Sequence, residues 1–158
     1  MKKLISHILI ALTGMLAVSC NAWLDVTPDN AIADDDLFST GFGYRNALNG
    51  IYTNLASDEL YGKQLSWGFL SAISQQYNQK AGTISPMYAD ASELIYNTVD
   101  TEPVVTAIWE KGYKVIANLN KLIENIRPTD ISLFEYGEEE KNLIYAEALS
   151  LRAMIHFD

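Results

Sequence analysis

The chain has 158 residues, of which 49% are hydrophobic and 20% charged, and its formal net charge is −9. That supplies the apolar material for one packed domain and excludes a disordered chain. The acidic balance excludes nucleic-acid binding, which needs clustered Lys and Arg, and a lone cysteine excludes any disulfide within the chain.

Lys2 and Lys3 lead an apolar run, Leu4–Val18, which closes on small residues and then Cys20. A basic start, a short apolar core and a small-residue cleavage site describe a secretory signal over residues 1–19. The run is 15 residues long, short of the ~20 that cross a bilayer, and Ser6, His7, Thr13 and Gly14 interrupt it. A cysteine directly after such a site resembles the lipid-bearing first residue of a mature bacterial lipoprotein, so Cys20 is the expected lipidation site. Without Lys2 and Lys3, nine basic residues face twenty acidic ones, a net of −11. An anionic leaflet repels such a surface, so the acyl chains must provide the membrane attachment.

Residues 20–33 contain Pro28 and no periodic pattern. They read as a lipidated tether ahead of a helical domain over 34–158. Asp34, Asp35 and Asp36 suit the positive end of a short helical turn. Tyr44, Leu48, Ile51, Tyr52 and Leu55 then recur at helical spacing behind Thr40, a good N-cap. Gly50, inside this pattern, reads as a point where another helix comes close. The spacing of Leu65, Phe69, Ile73 and Tyr77 predicts a second helix after Gly62. Residues 78–100 carry Gly82, Pro86 and no sustained rhythm, so they read as a long loop of the functional kind.

The clearest helix contains Val105, Ile108, Trp109, Gly112, Ile116, Leu119, Ile123 and Ile126. Thr101 or Asp100 is its expected cap, with Pro103 in its first turn and Pro128 beyond its end. After a turn, Glu138, Glu139 and Glu140 open a last helix. It carries two apolar stripes, Ile144, Ala148, Leu151, Ile155 and Tyr145, Leu149, Ala153, Phe157. Strand signals are few, so the fold class is all-α, built from antiparallel helix pairs. The last helix reaches Asp158 without a closing signal, and the expectation is a chain cut short relative to its complete fold.

Catalytic and metal chemistry finds little support. His156 is the one histidine beyond the signal, and no Cys/His cluster or Ser-His-Asp set can be assembled from the sequence. Gly41-Phe42-Gly43 lacks the third glycine and preceding strand of a dinucleotide fingerprint. Asp34–Asp36 lacks the spacing of a calcium loop. No cofactor or metal is therefore expected. A hydrolase would draw on the carboxylates of Asp90 and Glu93, which lie among the loop aromatics. The stronger candidates are Tyr77, Asn78, Tyr88, Tyr96 and Asn97. Aromatic faces that stack on a sugar ring, beside amides for its hydroxyls, make a sufficient glycan contact. The competing reading is that Tyr77 and Tyr96 bury against helices.

Several stretches together resemble one family. Cys20 with Trp23-Leu24-Asp25-Val26 and Pro28 is similar to the mature start of SusD/RagB-type outer-membrane lipoproteins of the Bacteroidetes. So are Leu37-Phe38-Ser39-Thr40, Ala47 to Tyr52, and Leu60-Tyr61-Gly62. Trp109 to Tyr113, Ile116 to Asn120, Glu147-Ala148 and Leu151-Arg152-Ala153 with Phe157 continue the likeness in order. The resemblance implies tetratricopeptide-like helix pairs and a lipid-anchored, surface-exposed place on the outer membrane. It also implies binding without catalysis, and a SusC-like TonB-dependent transporter as the partner that is capped. The implied ligand is an oligosaccharide or polysaccharide, or a peptide as in RagB-like members. A structural scaffold is the alternative. The likeness covers only the N-terminal portion of the family fold, so the C-terminal remainder is expected to be absent.

Overall fold

The structure is a computed structural model, and it describes residues 34–77 and 83–158. The expected signal, the tether, Cys20 and Asn78 lie outside the described residues. Every regular element described is helical.

Helix α1, Asp34–Leu37, is the short turn expected at the three aspartates. Helix α2 spans Gly41–Leu55. Thr40 caps it with extended backbone, and its hydroxyl accepts from the Gly43 amide at 3.1 Å. Gly43 is fixed by space: a Cβ there would sit 1.6 Å from the Leu37 carbonyl oxygen. Gly43 therefore serves the tight α1–α2 corner, while a Cβ at Gly41 would sit 2.5 Å from the Leu133 carbonyl oxygen. Gly50 corrects an expectation, since among the described residues a Cβ there would meet nothing within 4 Å and no helix crosses closely at that point.

The helix expected over Leu65–Tyr77 shrinks to α3, Phe69–Ile73. Ahead of it the chain closes on wide turns. The Leu65 amide bonds the Leu60 carbonyl at 2.9 Å and the Gly68 amide bonds the Lys63 carbonyl at 2.8 Å. These bonds reach back five residues and turn the backbone off the helical path, so equal spacing in sequence no longer means one face. Leu65 packs on the main core, Phe69 on a separate cluster, and Tyr77 is exposed.

The stretch expected as one long loop holds a further helix, α4, Pro86–Ser92. Pro86 stands in its first turn, where the missing N–H is no loss, and Ser85 takes the N-cap position without a side-chain bond. Helix α5, Glu102–Ile126, runs 25 residues. Thr101 occupies its N-cap position, but its backbone is helical and its side chain makes no cap. The Thr101 hydroxyl is buried against Thr98 instead. A 3-10 turn, Ile131–Leu133, is capped by Asp130, whose carboxylate accepts from the Ser132 amide at 2.7 Å. Hydrogen bonding from the Ser132 side chain, and then from its amide, holds the Asp130 carboxyl below its ordinary value. Helix α6 spans Gly137–Phe157.

Helices α2, α5 and α6 build the main core. α5 runs antiparallel to both others. Tyr44 near the start of α2 meets Asn125 near the end of α5, while Lys141 meets Arg127 and Arg152 meets Asn120. α2 and α6 run parallel, held by Arg45 with Glu140 and by Tyr52 with Glu147. The antiparallel pairing expected from sequence is thus present. Leu48, Ile51, Leu55, Val115, Leu119, Leu122, Ile126, Ile144 and Ala148 fill the interior.

Tyr44 is the keystone of one end. It is 1% exposed and lies between the rings of Phe38 and Phe134, at 5.1 and 5.4 Å. Its hydroxyl reaches the Asn125 carbonyl at 3.1 Å and the Thr129 hydroxyl at 2.6 Å. The Lys141 ammonium donates to the Arg127 and Thr129 carbonyls at 3.1 and 2.6 Å, closing the negative end of α5. Nearby, Arg45 Nε stands 3.0 Å from Glu140 Oε1 without hydrogen-bond alignment, so the contact acts through charge.

Candidate functional site

The aromatics singled out in the sequence gather around α3 and α4. Phe69, Ala72 and Ala91 form a small buried cluster there, backed by Val104, Val105 and Ile108 of α5. Tyr88, on α4, packs half-buried against it. Tyr96, just beyond α4, sets its ring 6.0 Å from Phe69 at 53° and stays 42% exposed. Asn97 beside it is exposed. Tyr77 is half exposed, and its hydroxyl donates to the Trp67 carbonyl at 2.7 Å. The structure therefore brings Tyr88 and Tyr96 to one cluster and ties Tyr77 to the turn that precedes it. Tyr96 and Tyr77 are neither buried against helices nor free: each has one ordering contact and an open face.

Sequence reasoning passed over Trp67. It lies outside the spacing of Leu65, Phe69 and Ile73, which drew attention away from it. It is 58% exposed, with the Lys63 ammonium 5.8 Å from its ring centre. A cation over an indole face is attracted by the ring quadrupole. Its signal was its residue type, because an indole outside the apolar stripe of its segment points to a surface ring. Leu94, Ile95 and Val99 add exposed apolar area beyond α4.

The two loop carboxylates part company. Asp90 Oδ2 accepts the Thr98 hydroxyl at 2.7 Å, which gives this side chain a structural task. Glu93 is exposed at the end of α4. Among the described residues no group of three His, Cys, Asp or Glu side chains is placed to hold a metal.

A second open surface lies between the middle of α5 and the end of α6. It is a groove of about 330 Å³ whose walls include Leu60, Leu65, Ile108, Tyr113, Ile155 and Phe157. Trp109 and Tyr113 line it with their rings 4.7 Å apart, 65% and 51% exposed. Trp109 is thus an exception to the buried stripe expected of its helix, and Phe157 is 90% exposed on α6. His156 lines the groove without a metal partner set. Near its floor, burial and then a hydrogen bond to Asp158 raise the Tyr61 hydroxyl well above its ordinary pKa. Among the described residues no helix is long and apolar enough to cross a membrane.

The chemistry on offer is adsorption: flat rings, amides and hydroxyls near a small apolar seat. The likeness to known proteins points the same way. A family model, SusD-like_3, described as starch-binding associating with outer membrane, matches residues 22–158. SusD-like protein P25 of Formosa agariphila is 25% identical over 143 residues, covering 88% of this chain and 26% of that protein. SusD-like protein P2 of the same organism is 26% identical over 163 residues, covering 99% of this chain and 29% of that protein. The chain thus spans little more than a quarter of the length of these relatives. No solved structure matches. With nearly all residues beyond the signal-like start matched and an all-helical fold behind the match, the chain belongs to the SusD-like family.

Proposed function

We propose that this chain serves a surface-exposed, lipid-anchored protein of the outer membrane, which binds glycans and caps a SusC-like TonB-dependent transporter for nutrient uptake. The observation that carries this reading is the family match across residues 22–158, to a family described as starch-binding and associated with the outer membrane. Cys20 is the proposed anchor. Tyr77, Asn78, Tyr88, Tyr96 and Asn97 are the proposed ligand contacts, with Trp67 added from the structure. Tyr96 and Trp67 would offer faces to a sugar ring, and Asn97 an amide to its hydroxyls. The role is binding without catalysis.

A scaffold role in protein–protein contact is the second reading. The exposed groove of Trp109 and Tyr113 favours it, because apolar surface of this kind suits a polypeptide partner.

Retardation in native gels containing soluble starch, mannan or mucin glycan tests the first reading. The chain should migrate more slowly in at least one gel. Tyr96→Ala should weaken that binding about tenfold, the loss of one stacked ring worth ~1.4 kcal/mol. No reducing ends should be released from the glycan. Metabolic labelling with palmitate should mark the protein and fail on Cys20→Ala. Unretarded migration in every gel, with labelling intact, would leave the scaffold reading standing.

A further inference from the structure

The described residues hold two hydrophobic clusters of unequal size. The larger joins α2, α5 and α6, whereas the smaller has only Phe69, Ala72 and Ala91 as buried members among the described residues. Among the described residues, Ile108 alone packs on both. A unit with so few buried apolar contacts is held weakly against local opening.

Its two helices also end in the same strained way. Gln75 after α3 has φ 54° and Leu94 after α4 has φ 61°. At α3 the Gln76 amide reaches the Ser71 carbonyl at 3.1 Å and the Gln75 amide the Ala72 carbonyl at 3.0 Å. At α4 the Ile95 amide reaches Asp90 at 2.9 Å and the Leu94 amide reaches Ala91 at 3.0 Å. This paired closure places its left-handed residue where glycine is normally preferred. Both positions here carry side chains, which raises the energy of the closed form.

One polar chain joins α4 to the start of α5. The Thr98 hydroxyl donates to Asp90 Oδ2 at 2.7 Å and lies 2.9 Å from the Thr101 hydroxyl. The Thr101 amide donates to Thr98 Oγ1 at 3.2 Å, and the Thr98 amide to Thr101 Oγ1 at 3.3 Å. Because the Thr98 proton is committed to the carboxylate, the Thr101 hydroxyl donates to Thr98. The direction of every proton in the chain is thereby fixed, and Thr101 is wholly buried.

We propose that α3, α4 and their link to α5 form a separate cooperative unit, which opens while α2, α5 and α6 stay packed. The Asp90–Thr98–Thr101 chain is the latch that holds it shut. Opening would separate Tyr96 from Phe69 and loosen Tyr88 from the small cluster without disturbing the main core. The proposal stands whether or not those rings meet a glycan.

Native-state hydrogen exchange of the 158-residue chain, read amide by amide in rising urea, tests this. The amides of Ala72, Ser74, Glu93 and Ile95 should exchange at least tenfold faster than those of Leu119, Leu122 and Ile123, with a weaker urea dependence. Thr98→Val removes the donor to Asp90 and the acceptor of the Thr101 amide and hydroxyl, and should speed exchange at Glu93 and Ile95 about tenfold, leaving Leu119, Leu122 and Ile123 in the later turns of α5 unchanged. Leu94→Gly relieves the left-handed strain and should slow exchange at the same amides several-fold, so the test survives if the valine variant fails to fold. A single urea dependence shared by both regions, or an equal response of both to either variant, would overturn the proposal.

Discussion

The main core and the α3–α4 region are built from the same residue types and differ in how those residues are arranged. In the core, helices of 15, 25 and 21 residues keep one apolar face and bury it in two neighbours. In the other region, helices of 5 and 7 residues share three buried apolar side chains and rely on hydroxyl and backbone bonds for their ends. Length is what makes the difference. A helix of several turns repeats its pattern often enough to pack cooperatively, while one of a turn or two is too short to persist without tertiary contacts. A ligand surface made of the second kind is adaptable and cheap to rearrange; the first kind supplies a rigid platform.

The sharpest way to break this contrast is to hollow out each region in turn. Leu119→Ala, at a fully buried core position, should lower global stability by about 3–4 kcal/mol. Phe69→Ala removes the largest side chain of the small cluster, yet should lower the global denaturant midpoint by less than a third as much, because α3 and α4 are its main dependants. Urea unfolding followed by circular dichroism measures both, and equal losses would mean that the two regions unfold as one.

A smaller effect is expected where α1 meets α2. Gly43→Ala pushes a methyl into the Leu37 carbonyl, and relief requires moving the corner, at a cost of about 1–3 kcal/mol. Gly50→Ala, with open space around it, should instead stabilise by roughly 0.5–1 kcal/mol through helix propensity. Opposite signs at two glycines of one helix would be read in a single pair of thermal melts.

The smallest expected effect is a titration. Hydrogen bonding to Glu147 raises Tyr52, and burial followed by hydrogen bonding to Asp158 raises Tyr61. Both folded values lie above the ordinary phenol, near 10. Their contribution to stability is therefore complete below pH ~10 and is lost as pH rises toward the folded values. Absorbance titration of phenolate should show late-ionising tyrosines that diminish in Tyr61→Phe. Ionisation of every tyrosine near its ordinary value would contradict the hydrogen bonds of Tyr52 to Glu147 and of Tyr61 to Asp158.

The contrast also explains what the sequence revealed. Tyr44, Leu48, Ile51 and Leu55 announced α2 by spacing alone, and Thr40 its cap; α5 and α6 were as plain. α4 was hidden because seven residues give too few repeats, although Ser85-Pro86 is a start signal in hindsight. The ends of α3 and α4 were hidden because Gln75 and Leu94 occupy left-handed positions that glycine would have flagged. The long pattern of Leu65, Phe69, Ile73 and Tyr77 misled, since wide turns before Gly68 sent its members to different places. Of the candidate site, Tyr88 and Tyr96 were visible as loop aromatics, but their shared seat on the small cluster depends on contacts no local pattern encodes. Trp67 was legible as an indole outside its segment's apolar stripe, whereas the paired rings of Trp109 and Tyr113 became surface features only once their helix was packed.

The most direct test of the account adds a starch-derived oligosaccharide to the chain and maps the amides whose exchange slows. Protection gained across α3, α4 and residues 93–99, with the middle of α5 and the end of α6 unchanged, is the predicted result. Protection confined to the Trp109–Tyr113 groove, or none at an oligosaccharide concentration that saturates gel retardation, would contradict it.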